Sequence, residues 1–154
     1  MESRDGDRSR DRHFELNPTL GDTAPVVVPY DPSFNRLKAH HCGLYFGASI
    51  AALKLLEEQK GYVFVGTGSS GVNSFFVRSD VAPTVIDLIW HFVAFPARHR
   101  DSRNEMGQLT FVSGTRRAEL IAGCIVQNIQ TGAKSRFGDI AQPYSKAWLV
   151  LMKC

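Results

Sequence analysis

Two short apolar runs, Tyr62 to Val65 and Asn73 to Val77, are separated by seven residues, three of them glycine. Both runs are rich in β-branched and aromatic side chains, the composition of strands. The interval has no room for a helix, and a parallel pair needs a crossover of a dozen or more residues. The runs therefore predict an antiparallel hairpin, and any fold for this chain must contain it.

The segment before the hairpin predicts a helix within Gly47 to Lys60. Ile50, Leu53 and Leu56 fall on one face, which Ala52 and Leu55 widen. Lys54 and Glu58 lie four apart on the wetter side. Gly61 follows where a left-handed residue would close the helix. Upstream, the valines of Thr23 to Tyr30 favour an extended segment, which Pro25 and Pro29 confine to an edge or loop. Asp31-Pro32 then turns the chain.

Beyond the hairpin the expectations are shorter. Pro83 to Phe95 reads as a helix with Pro83 in its first turn and Asp80 as a cap. Trp90, Phe92, Val93 and Phe95 are its core candidates, and His91 a half-buried neighbour. Arg98 to Glu105 is a polar loop, and Leu109 to Val112 a short strand. Arg116 to Ala122 is a helix capped by Thr115 and closed at Gly123. Ile125 to Ile129 is extended, and Trp148 to Met152 is a last apolar run.

The chain has 154 residues, 44% of them apolar and 21% charged. That length suits one domain burying roughly 70% of its unfolded surface. The net charge of +3 is too small to make nucleic acid an expected partner. No apolar run approaches the ~20 residues of a membrane helix, so no membrane is expected either. Cys42, Cys124 and Cys154 are odd in number and far apart, which predicts free thiols in a reducing, cytoplasmic setting. Residues 1–14 alternate arginines with acids and have no apolar core, so they read as a flexible charged leader.

Gly66-Thr67-Gly68-Ser69-Ser70-Gly71 matches the dinucleotide pattern G-x-G-x-x-G, and the acid Asp87 lies about twenty positions on. The pattern works by opening a helix whose N–H groups hold a pyrophosphate. The residues after Gly71 have strand character, so the loop reads first as a hairpin connection. A nucleotide- or phosphate-binding module using Gly66, Gly68 and Gly71 is the alternative, and a helix at Gly71 would favour it. His40-His41-Cys42 holds three metal-capable side chains, but no second ligand pair stands at zinc spacing, so no metal is expected. Arg98, Arg100 and Arg103, with His99 and Asp101, form a partly self-neutralised loop that suits a phosphate or carboxylate. No catalytic triad is legible, so no catalytic residue is assigned.

Three blocks carry a resemblance. They are Val28-Pro29-Tyr30-Asp31-Pro32-Ser33-Phe34; Tyr45-Phe46-Gly47-Ala48-Ser49-Ile50-Ala51-Ala52-Leu53 with Lys60-Gly61-Tyr62; and Val65-Gly66 with Gly71-Val72-Asn73-Ser74-Phe75-Phe76-Val77-Arg78. In this order they resemble the C-terminal half of bacterial FkbM-type methyltransferases and their uncharacterised relatives, over roughly residues 15–130. The resemblance implies an α/β fold, part of a Rossmann-like sheet that binds S-adenosylmethionine. It makes Ser49 to Lys60 the helix before the sixth strand. Tyr62 to Val65 and Asn73 to Val77 become the sixth and seventh strands, the latter antiparallel. Residues 131–154 become a mixed C-terminal extension.

The cofactor half of that family precedes these blocks and has no counterpart here. Asp7 to His13 stands where a fifth, apolar strand belongs. The resemblance thus implies a truncated methyltransferase-like chain with no cofactor of its own and no independent catalysis, or a gene remnant without function. It leaves a sheet edge open to a second copy or a complementary chain. Tyr45, Asn73 and Arg78 are its substrate-side candidates.

Overall fold

The computed structural model describes residues 9–87 and 101–152. Trp90, His91, Phe92, Val93, Phe95, Arg98, His99 and Arg100 lie outside the described residues, as do the first eight. The chain is mixed α/β, with two small antiparallel sheets. In order, the elements are β1 (Asp11–Glu15), a 3-10 turn (Pro18–Leu20), β2 (Val26–Val27), α1 (Arg36–Ala39), α2 (Ile50–Gln59), β3 (Tyr62–Thr67) and β4 (Asn73–Arg78). Then come α3 (Ala82–Ile86), α4 (Arg116–Leu120), β5 (Ile125–Asn128), β6 (Lys134–Arg136), a second 3-10 turn (Phe137–Asp139) and α5 (Lys146–Met152).

The hairpin forms as the sequence requires, with Tyr62 opposite Arg78 and Thr67 opposite Ser74. A bulge falls between Phe64 and Gly66, where Gly66 takes a φ of 129° that other residues avoid. α2 starts at the Ser49 hydroxyl, which accepts from Ala52 N–H at 3.1 Å and donates to Ala24 O at 2.8 Å. One side chain thus caps the helix and ties it to the strand before it. Gly61, at φ 83°, ends the helix in the left-handed region.

The leader expectation fails from Asp11 onward. Asp11–Glu15 forms β1 and pairs antiparallel with β4, Asp11 opposite Val77 and Glu15 opposite Asn73. The sheet order is β1-β4-β3, so the β4 edge expected to be open is covered by the stretch read as charged filler. Its charges are compatible with a strand because they alternate. Phe14 stacks edge-on against Phe76, with ring centroids 5.9 Å apart. Arg12 lies 4.3 Å over the Tyr62 ring, while Asp11, His13 and Glu15 face water.

The second sheet runs β2-β5-β6. β6 and α5 are built into the body of the fold. Ile125 pairs with Arg136, and Tyr144 and Trp148 share a buried cluster with Leu16 and Ile50. A larger cluster holds Leu20, Val26, Leu44, Ile121, Val126 and Phe137.

Three local expectations are corrected. Asp80 does not cap α3; it is drawn to Arg78, whose Nε donates to it at 2.6 Å, and Val81 takes the cap position. Leu109 to Val112 is not a strand: Leu109 makes one isolated bridge to Arg103, and Phe111 has a φ of 53°. Leu109 and Phe111 are exposed, so this apolar stretch has no core to pack against. α4 stops at Leu120, and Thr115 gives it no side-chain bond. No helix among the described residues is long and apolar enough to cross a membrane.

Candidate functional site

A cleft of about 210 Å³ opens where β1 ends and β4 begins. Its lining is Glu15 from the end of β1, Val72 just before β4, Asn17 and Pro18 from the turn after β1, Arg36 and Phe46, and Asp101 with Arg117.

The frame of the cleft is set by Asn17. Its amide donates to Leu44 O at 2.7 Å and to Phe46 O at 2.9 Å, and its carbonyl oxygen accepts from Thr19 N–H at 3.0 Å. Asn17 is buried, so these bonds also fix the segment carrying Phe46 against the end of β1. Arg36 stands on α1, which Asn35 caps by accepting from Leu37 and Lys38 N–H. Its guanidinium reaches Asp101 at 2.7 Å and lies 5.1 Å over the Phe46 ring. Arg117 on α4 is buried. Burial pushes its guanidinium below the usual range, and the Asp101 carboxylate opposes that shift.

The residues singled out in the sequence are not brought together. Asn73 and Arg78 sit at opposite ends of β4, and Arg78 is engaged with Asp80. Tyr45 belongs to the second sheet's side, where its hydroxyl donates to Ile125 O at 2.5 Å and its ring meets Phe34. Gly66, Gly68 and Gly71 shape the hairpin loop, closed by Gly68 N–H to Asn73 O and Gly71 N–H to Gly68 O. β4 starts two residues after Gly71, so no helix N-terminus is there to hold a phosphate.

His40 Nδ1 lies 2.9 Å from Cys42 Sγ, and the His40 and His41 rings are 4.4 Å apart. Burial, then the neighbouring His41, hold His40 below its ordinary value, while burial pushes the Cys42 thiol up. Both shifts favour the neutral forms of the pair near pH 7. No three metal-binding side chains among the described residues are grouped to hold an ion.

The cleft residues are hard to find in the sequence because they come from six separate segments. Asp101 stands among local arginines in sequence, yet it pairs with Arg36, 65 positions away. The usable signal is Glu15-Leu16-Asn17-Pro18, an acid at a strand end followed by a turn.

No protein-family model matches the chain. No curated protein and no solved structure matches it significantly either.

Proposed function

We propose that this chain is methyltransferase-like and supplies the half of such a sheet that does not hold S-adenosylmethionine. On this reading these residues transfer no methyl group by themselves. The observation that carries it is the sheet order β1-β4-β3, with β4 antiparallel to both neighbours and α2 immediately before β3. The resemblance asks for that helix and that antiparallel last strand, and β1 occupies the place where a fifth strand belongs. The cleft at the end of β1 is then the surface facing the methyl acceptor.

The glycine-loop reading loses its support, because β4 begins where a phosphate-binding helix would have to start. Calorimetric titration of the chain with S-adenosylmethionine and with its demethylated product tests the proposal. Neither is expected to bind in the micromolar range, and micromolar binding of either would overturn it.

A further inference from the structure

Among the described residues each small sheet has a bare edge, and the two edges carry opposite charge. β1 is an end strand of the first sheet and β6 of the second. At the ends of β1, Arg78 N–H donates to Arg10 O and Leu16 N–H donates to Val72 O. By the alternation of an antiparallel ladder, the backbone groups of Asp11, His13 and Glu15 then point away from β4. The Ser9 hydroxyl takes Asp11 O at 2.7 Å, so the open positions are His13 and Glu15. Around β6, Asn128 N–H donates to Ala133 O and Phe137 N–H donates to Cys124 O. The backbone groups of Lys134 and Arg136 therefore point away from β5. All five side chains are exposed, and Asp11, Glu15, Lys134 and Arg136 are in no ion pair among the described residues.

Neither edge suits itself. Two copies of β1 in a two-fold antiparallel pair set Asp11 opposite Glu15, and two copies of β6 set Lys134 opposite Arg136. Like charges directly opposite one another destabilise a strand pair. β1 against β6 reverses the sign. We propose that β1 of one copy pairs antiparallel with β6 of a second copy. The open positions select the register with Glu15 opposite Lys134 and His13 opposite Arg136, which leaves Asp11 diagonal to Arg136. Both edges close at the same place in that register. Asn17 N–H is already taken by Ala48 O, and β6 begins just after the turn at Gly132. The exposed faces also fall on one side of the joined sheet. Lys134 and Arg136 lie opposite Gln127 and the exposed Ile125, while Ser135 lies opposite the buried Val126. Each copy offers one edge of each kind, so the contact is heterologous and assembly can continue beyond a pair. This inference stands apart from the methyltransferase-like reading, which titration with S-adenosylmethionine tests separately.

The test is sedimentation velocity of the full chain over a concentration series. Association is expected with a Kd on the order of 0.1–1 mM, because two short strands bury little area. Raising the ionic strength from ~50 mM to ~500 mM is expected to weaken it about threefold or more, since the charges are exposed. Two double variants, Asp11→Lys with Glu15→Lys and Lys134→Glu with Arg136→Glu, change only exposed side chains and are expected to keep the fold. Each alone should associate about tenfold more weakly or worse, because every β1–β6 contact then sets like charges together. An equimolar mixture of the two should regain association, since each variant restores the charge pairing that the other lacks. A two-fold β1 contact predicts instead that the β6 variant associates as the unaltered chain does, and that result would overturn the proposal. So would a mixture no better than its components, association that salt strengthens, or a chain that stays monomeric at ~2 mM.

Discussion

Glu57 of α2 is 2% exposed and accepts a hydrogen bond from Arg12 of β1 at 3.2 Å. Its second oxygen takes Lys60 at 2.8 Å. Tyr62 completes the tie, since its ring lies under Arg12 and its hydroxyl donates to Ser9 O at 2.8 Å. A charged strand is thereby fastened to an apolar helix. Arg12→Ala removes both the ion pair and the ring contact but leaves Glu57 with Lys60. Because Arg12 is 31% exposed, the expected loss is modest, about 1–2 kcal/mol in urea unfolding. Hydrogen exchange should quicken across β1 before it does in β3.

Asn17→Ala is expected to cost more, about 2–4 kcal/mol, because it leaves two carbonyls and one N–H in a buried site without their partner. Thermal unfolding measures it. A loss below about 1 kcal/mol would show that water replaces the amide.

Tyr144 donates to Thr19 O at 2.6 Å from a buried position. Burial raises its phenol well above the ordinary value of 10, outweighing the nearby Arg117, which acts in the opposite direction. The folded chain thus prefers the protonated form more than the unfolded chain does. Its contribution is complete below pH 10 and is lost as pH rises beyond that. Cys42, raised from 9 by burial, adds to the loss in the same direction. Stability against urea should therefore fall steeply above about pH 9–10. Tyr144→Phe should be less stable at pH 7 by about 1–3 kcal/mol, with a shallower alkaline decline.

Arg10 O accepts from Arg78 N–H of β4, and Leu16 N–H donates to Val72 O just before it, so by the alternation of an antiparallel ladder Arg12 and Phe14 also face β4. The backbone groups of His13 then point away from the sheet, at an edge with no paired strand among the described residues. Asn17 N–H, further on, is taken by Ala48 O, which closes that end. A second copy or a complementary chain is expected to pair at residues 11–15. Sedimentation should show concentration-dependent association that His13→Pro abolishes, since proline removes an outward N–H. A strict monomer at high concentration would count against the expectation.

The elements legible in the sequence were those whose signals are local. Ser49, the Ile50–Leu53 stripe and Gly61 mark α2 from end to end, and the two apolar runs left only a hairpin. β1 was hidden because its inward positions are Arg12 and Phe14, one of them charged. The clue lay elsewhere in the chain. Glu57 falls seven residues after Ile50, on the buried side of α2, and a buried acid requires a cation from some other segment. The cleft was illegible for a similar reason: Arg36, Asp101 and Arg117 meet only through tertiary packing, and Asp101 has arginines on both sides of it in sequence. Leu109 to Val112 shows the converse, an apolar stretch whose composition promised a strand that nothing in the fold pairs with.

Tyr144 reaches back to Thr19, Ser145 N–H reaches Asp22 at 2.8 Å, and Pro143 O accepts from Asp22 N–H at 3.0 Å. These contacts join positions more than 120 residues apart. The chain is therefore fastened by a clasp that can form only after residues 143–145 have been made. Until residues 143–148 leave the ribosome, Leu16 and Ile50 lack the Tyr144 and Trp148 rings that cover them. While the intervening residues are made that apolar surface stays uncovered, and contacts of such long sequence separation make closure slow once it begins.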